Sequence, residues 1–283
     1  MSVHYGELLG KDLYDAHQRK GAIAEQSESA KPAATAPDDD VLYCQFDGGF
    51  IFSDTDWREV KLGRTFLKSD CQLTDNEHRG NRIVKSEYAA SLGHFSEFTD
   101  KYEVLIREGQ RADRSLVFIT DGAVWMRNWM REHYPEATQI LDFFHVCEHL
   151  GDFAKEVVGG LGENHHRWYD QQKQALKKGK LLTVIDRIQG LSIKSKTAQA
   201  KREKLLKYFR DNAYRMRYDA YREAGYMIGS GPIEAAHRSV VQKRMKLSGQ
   251  RWSSQGAQPM LNLRCAFKSG RRIMLRKLIN QGA

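Results

Sequence analysis

The sequence predicts an α/β protein: a mixed sheet with helices packed on it, carrying an α-helical insertion before its last helices. Three observations predict this. Residues 41–71 run as successive β-forming segments, "VLYCQFD", "FIFSD" and "WREVKLGRTFLKSDC". Two short apolar strands, "SLVFITDG" (115–122) and "TQILDFFH" (138–145), then alternate with helical patterns. Residues 151–225 are Lys-rich and helical in pattern throughout. A hairpin run followed by strand–helix–strand units makes a mixed sheet, because parallel neighbours need a crossover helix.

Each element has its own signal. Residues 26–40, "QSESAKPAATAPDDD", are small, polar and proline-containing, so 1–40 reads as an N-terminal segment and flexible linker, too short to be a domain. The chain therefore reads as the C-terminal part of something longer. "VLYCQFD" ends at Asp47, and Gly48-Gly49 reads as the turn after it. Residues 85–109 read as a helix, with Tyr88, Leu92, Phe95, Phe98, Tyr102 and Leu105 at three- and four-residue spacings. The strand at 115–122 ends in Asp121-Gly122, a helix follows at 123–133, and the strand at 138–145 ends near Asp142. The core's first part is thus 41–150. The insertion covers 151–225, and 226–283 closes the core with a helix starting near Pro232 and basic C-terminal helices.

Composition bounds the function. With 283 residues, 41% hydrophobic and 29% charged, the chain has ample material for a core. No apolar run approaches the roughly 18 residues of a membrane span, and the N-terminus lacks the order of a secretory signal. The expected location is the cytoplasm. Cys44, Cys71, Cys147 and Cys265 are scattered without a CxxC pair, so reduced, mostly buried thiols are expected and no structural zinc cluster is. Charge is segregated. Residues 1–150 carry a net −9, 151–225 a net +8 and 226–283 a net +10. A basic back half on an acidic front half suits a polyanionic partner.

Three acids stand out. Asp47 and Asp121 each end an apolar strand before glycine, and open α/β sheets gather chemistry beyond strand ends. Glu234, in "GSGPIEAAHR", is the only acidic residue between Ala224 and Ala283. With Gly231 as N-cap and Pro232 at N1, Glu234 falls at N3, where a carboxylate favours the helix dipole by about 0.3–1 kcal/mol and can pair with Arg238. Capping alone can explain it. Set beside the aspartates, it also completes a hard-oxygen set of the kind Mg²⁺ takes, and two-metal phosphoryl transfer needs such a set.

"YCQFDGG", "VFITDGA", "ILDFFHVCEHL" and "GYMIGSGPIEAAHR…RMKLSGQRWSSQGAQPMLNLR" resemble DDE-type transposases of bacterial insertion sequences, the ISKra group in particular, over about residues 41–270. The resemblance implies an RNase H-like fold with a helical insertion between the second aspartate and the glutamate. It implies Asp47, Asp121 and Glu234 as metal-binding catalytic acids holding two Mg²⁺ ions, for which Mn²⁺ can substitute. It implies DNA partners (element ends and target DNA), a homo-oligomer on DNA, and a bacterial cytoplasmic location on the nucleoid. Asp142 and His145 match an Asp-x-x-His element, also seen in Mutator-like transposases, and count as supporting residues. Such transposases usually have a longer N-terminus with a DNA-binding region, and residues 1–40 are not expected to supply one.

Beyond Glu234, "QKRMKLSGQRW" offers Lys243, Arg244, Lys246 and Arg251 to phosphates and Trp252 to a base or a distorted step. Trp252 reads equally well as a packed residue. His237 and Arg238, one turn after Glu234, can face the same phosphate, though His237 also suits a core position. Two rivals remain: a truncated, transposase-derived DNA-binding protein without catalysis, and a zinc peptidase suggested by "HVCEH" (145–149), which fits HxxEH with His145 and His149 as ligands and Glu148 as base. The second leaves both aspartates and the basic tail unexplained.

Overall fold

The computed structural model describes residues 40–72, 82–111, 114–162 and 164–271. The linker expected at 26–40, Asp40 apart, and the end of the basic C-terminal helices expected within 226–283 lie outside them. The fold is α/β, with an RNase H-like mixed sheet of five strands flanked by helices. Its strands are β1 (Val41–Ser53), β2 (Asp56–Leu67), β5 (Glu87–Leu92), β6 (Ser115–Thr120) and β7 (Thr138–Leu141), in the order β5-β2-β1-β6-β7. A separate short pair joins β3 (Cys71–Gln72) to β4 (Arg82–Ile83). The chain forms two compact units, one ending at Val117 and resuming at Gly231, the other running Phe118–Ser230.

In the first unit β1 and β2 form one long antiparallel hairpin, and the glycine pair does not turn the chain. Gly48 pairs with Lys61 and Gly49 with Val60 in the middle of the ladder. The turn comes five residues later, at Asp54, whose φ of +56° puts it in the left-handed region that aspartate tolerates. Asp47 therefore sits inside a strand, opposite Leu62, and not at a strand end. Glycine inside a strand marks a close approach by another group, and such a group is present here.

The expected helix at 85–109 divides into strand β5 and helix α1 (Phe95–Gly109). Tyr88 and Leu92 are four apart, and four is a multiple of the strand period of two as well as close to the helix period. They lie with Ala90 on one face of β5, against the cluster of Ile51, Val60, Leu62, Ile233, Val240 and Leu261. Gly93, at φ +148°, separates the two elements. Helix α1 packs on β2 and β5 by its buried Phe98 and Tyr102. The Tyr102 ring occupies the space where Gly63 has no side chain, and its hydroxyl donates to Gln45 O at 3.0 Å and to Arg64 O at 3.1 Å.

The chain returns to this unit as α8 (Gly231–Ala236), which runs through a π-helical turn (His237–Gln242) into α9 (Lys243–Met245). Helix α10 (Ser254–Lys268) starts at Ser253, whose hydroxyl caps Gly256 N at 3.0 Å. From α10, Gln258 accepts from Leu92 N at 2.8 Å and donates to Ala90 O at 3.0 Å. That amide satisfies main-chain groups of the edge strand β5.

The second unit holds α2 (Val124–His133), β7 and a run of helices. These are α3 (Phe143–Phe153), α4 (His165–Lys177), α5 (Leu181–Gln189), α6 (Lys196–Asn212) and α7 (Tyr218–Glu223). Gly179, at φ +70°, breaks what reads as one helix over 168–189 into α4 and α5. All four cysteines are free thiols, with Cys44, Cys147 and Cys265 buried and Cys71 half-buried. Among the described residues no helix is long and apolar enough to cross a membrane.

Candidate functional residues in the two units

Asp47 is positioned by its main chain. Strand alternation puts Asp47, Gly49 and Ile51 on the face that meets α8, where Ile51 joins Ile233 and Ala236 in the core. His237, at the start of the π turn, fills the space left by Gly49: a Cβ there would stand 2.9 Å from His237 Nδ1. Its Nε2 lies 3.2 Å from Asp47 O and 3.8 Å from Asp47 Oδ2. With the proton on Nε2, the ring donates to that carbonyl. The Asp47 carboxylate also accepts from Gly48 N at 2.7 Å and remains partly exposed. His237 is thus a packed residue that touches Asp47.

Glu234 lies three residues before His237 and is exposed. The helix begins at Gly231, so Pro232 is its second residue and Glu234 its fourth. Arg64 of β2 fixes this first turn by donating from Nη1 to Pro232 O at 2.7 Å, while Nε and Nη2 reach Ser86 Oγ at 3.0 and 2.9 Å. Burial lowers the Arg64 pKa. No sequence pattern signals this arginine, because the contact spans 168 positions.

The basic residues of this unit form an exposed set. Arg238, Lys243, Arg244, Lys246 and Arg251 all face solvent, and among the described residues none makes an ion pair. Trp252 is an anchor. Its N donates to Phe52 O at 3.1 Å, its O accepts from Asp54 N at 2.7 Å, and its indole N–H reaches Met245 O at 3.1 Å. Its ring packs on the core cluster, with the Arg244 guanidinium 5.6 Å from its centroid.

In the second unit Asp121 follows β6 in a loop and is half-buried. Its Oδ1 accepts from Ala123 N at 3.0 Å, an Asx turn leading into α2. Its main-chain O accepts from Nη2 of Arg215 at 2.8 Å. Arg215 is fully buried, its pKa is lowered by that burial, and its Nε and Nη1 have no hydrogen-bond partner among the described residues. Tyr208 lies against Gly122, where any Cβ would run into its ring, and burial pushes its hydroxyl pKa up. Both supports come from about ninety positions away, in α6 and the turn after it.

Asp142 is buried and both its carboxylate oxygens are engaged: Oδ1 caps α3 by accepting from Phe144 N at 2.8 Å, and Oδ2 accepts from Ser230 Oγ. Ser230, within the motif that carries Glu234, is thus tied to Asp142. His145 Nδ1 stands 3.3 Å from Glu148 Oε2, and its ring is 4.6 Å from that of His149, which meets Tyr208 edge-on. Burial, and then His145, lower the His149 pKa.

Among the described residues no group of three or more His, Cys, Asp or Glu side chains is arranged to hold a metal ion, at HVCEH or elsewhere. The donor chemistry at Asp47, Asp121 and Glu234 is that of a hard, oxygen-seeking ion, and each of these carboxylates has solvent access. Their chemistry fits Mg²⁺.

The chain belongs to the Uncharacterised protein family (UPF0236), whose family model matches residues 41–280, from the first residue of β1 onward. No curated protein matches the sequence.

Proposed function

We propose that this chain is a DDE-type transposase of the insertion-sequence kind, close to the ISKra group, that cleaves and transfers DNA strands as a homo-oligomer. Asp47, Asp121 and Glu234 would hold two Mg²⁺ ions, with Mn²⁺ an accepted substitute. Such ions supply charge neutralisation and an activated oxygen to phosphodiester chemistry. The chain's own residues do the rest. His237 fixes the backbone at Asp47 and ties the helix that carries Glu234 to β1. Arg64 holds that helix's first turn, while Arg238, Lys243, Arg244, Lys246 and Arg251 present unpaired charge to phosphates.

One observation carries the reading: within a single unit, a partly exposed strand aspartate is locked by a buried histidine to the helix bearing a solitary exposed glutamate, beside five exposed unpaired cations. Mg²⁺-dependent nicking and strand transfer on the DNA ends flanking the gene is the test. Asp47→Asn, Asp121→Asn and Glu234→Gln should each abolish both reactions and leave DNA binding within about twofold, since none removes a phosphate-binding cation. Full strand transfer by Glu234→Gln would overturn the assignment. DNA binding without nicking by the wild-type protein would instead establish a non-catalytic DNA-binding protein.

A further inference from the structure

The tip of the β1–β2 hairpin carries chemistry that the acids do not use. Phe50 and Trp57 are 53% and 55% exposed, on a strand pair whose other large apolar residues are mostly buried. Alternation puts Phe50, Phe52 and Trp57 on the face opposite Asp47. Phe52 and Trp57 pair across the ladder edge to face, with centroids 5.6 Å apart. The Arg251 guanidinium lies 5.3 Å from the Phe52 centroid, and the Lys246 ammonium 5.5 Å from that of Trp57.

This surface is held in place. The turn at Asp54 is tied to the C-terminal segment by Asp54 N to Trp252 O at 2.7 Å and by Ser254 N to Asp54 Oδ1 at 3.1 Å. The acids of the tip are engaged locally. Asp54 meets Arg58 at 3.6 Å, Glu59 meets Lys61 at 2.8 Å, and Asp56 accepts from Trp57 N at 2.8 Å. Lys246 and Arg251 are left as the uncompensated charges.

Exposed aromatic side chains beside uncompensated cations call for a partner that is flat, aromatic and anionic. Duplex DNA hides its base faces in the stack, whereas a single strand offers both base faces and phosphates. We propose that the hairpin tip is a stacking platform for unpaired nucleotides of a DNA strand. Phe50 and Trp57 take base faces, while Lys246 and Arg251 take neighbouring phosphates. The inference deepens the DNA-strand reading above and rests on it for the identity of the polymer.

The test is equilibrium binding of the full chain to three labelled probes: a 20-nucleotide oligothymidylate, a strand of equal length with abasic sites, and a 20-base-pair duplex. Wild type should bind the abasic strand about tenfold more weakly than oligothymidylate. The Phe50→Ala/Trp57→Ala protein should lose about tenfold or more on oligothymidylate and nothing on the abasic strand or duplex. Phe50→Tyr/Trp57→Phe should restore binding. Equal losses on all three probes, or no loss on any, would overturn the platform. So would a drop in oligomeric state with unchanged affinity for oligothymidylate, which would assign the patch to a second copy of the chain. The two readings fail separately. Metal-dependent nicking without base-dependent binding sinks the platform alone. Base-dependent binding with no nicking by wild type sinks the transposase reading alone.

Discussion

Asp47 and Asp121 are both aspartates before a glycine, yet the two units hold them by opposite means. Asp47 is one rung of a twelve-rung antiparallel ladder, so its backbone is set by strand pairing on β2, and one buried histidine completes the fit. Asp121 lies in a loop beyond a six-residue strand. There the carbonyl is held by a buried guanidinium, and the following glycine by a partly buried phenol. A ladder supplies positional precision through main-chain bonds alone. A loop needs side chains brought from elsewhere, and in this protein the helices between β7 and α8 bring them. The helical insertion is therefore part of what shapes the Asp121 loop.

The largest test of that contrast is Arg215. Arg215→Ala removes a charge-assisted hydrogen bond and leaves a cavity, so it should cost about 2–4 kcal/mol in urea unfolding. Arg215→Met keeps most of the volume and relieves the burial of a guanidinium with two unpartnered nitrogens, so its cost should be under about 1 kcal/mol. The methionine protein should nevertheless exchange the Ala123 amide faster, because the Asp121 loop has lost its clamp. If that amide stays as protected as in wild type, Arg215 does not position the loop.

The glycines give the next effect, and they rank the two supports. Gly122→Ala would drive a methyl group into the Tyr208 ring and should cost about 2–3 kcal/mol. Gly49→Ala meets His237 at 2.9 Å, a ring at the start of a helical segment that can shift by a few tenths of an ångström, so about 1 kcal/mol is expected. A double-mutant cycle sharpens this. In a His237→Ala background Gly49→Ala should be nearly neutral in thermal unfolding, because the alanine occupies space the ring has vacated. Simple additivity of the two would show that Gly49 is glycine for another reason.

The same glycines show where the sequence misleads. Gly48-Gly49 carries the letters of a turn, and what made it a strand interior was a ring from position 237, invisible to local pattern. Tyr88 and Leu92 misled differently, since a four-residue spacing satisfies both periodicities and only Gly93 marks the break. The sheet, the two apolar strands and the helical insertion were legible because each repeats its signal over several residues. Arg64, Tyr208, Arg215 and Ser230 were not, because each reaches the element it fixes by a contact spanning at least 86 positions. Asp142 was legible as a residue of interest, and its carboxylate turns out to be taken up by a helix cap and Ser230.

That cap gives a moderate effect confined to the second unit. Asp142→Ala removes the N-cap of α3 and the acceptor for Ser230 together, and should cost about 2 kcal/mol. Asp142→Asn keeps an oxygen for Phe144 N and turns an amide toward a hydroxyl that can rotate to accept it, so it should recover most of the loss. If both variants lose equally in urea unfolding, the charge itself matters and the capping account is insufficient.

The smallest effect is a pH dependence that should belong to the second unit alone. Burial and the neighbouring His145, with a lesser contribution from Lys204, hold His149 below the ordinary imidazole value of 6.5; Asp152 and Glu148 act against them. The folded protein therefore binds this proton less readily than the unfolded chain does. In the window between the depressed folded value and 6.5 the unfolded state carries more protons, so stability rises with pH there. Stability from this source is complete above about pH 7 and falls as the solution is acidified. The side chain is only partly withdrawn from solvent, so screening keeps the slope shallow. His149→Gln should flatten the dependence of thermal unfolding between about pH 7 and pH 5.5, whereas Gly49→Ala, a change in the first unit, should shift the whole curve without altering its slope. A slope unchanged by His149→Gln would move the titrating group elsewhere.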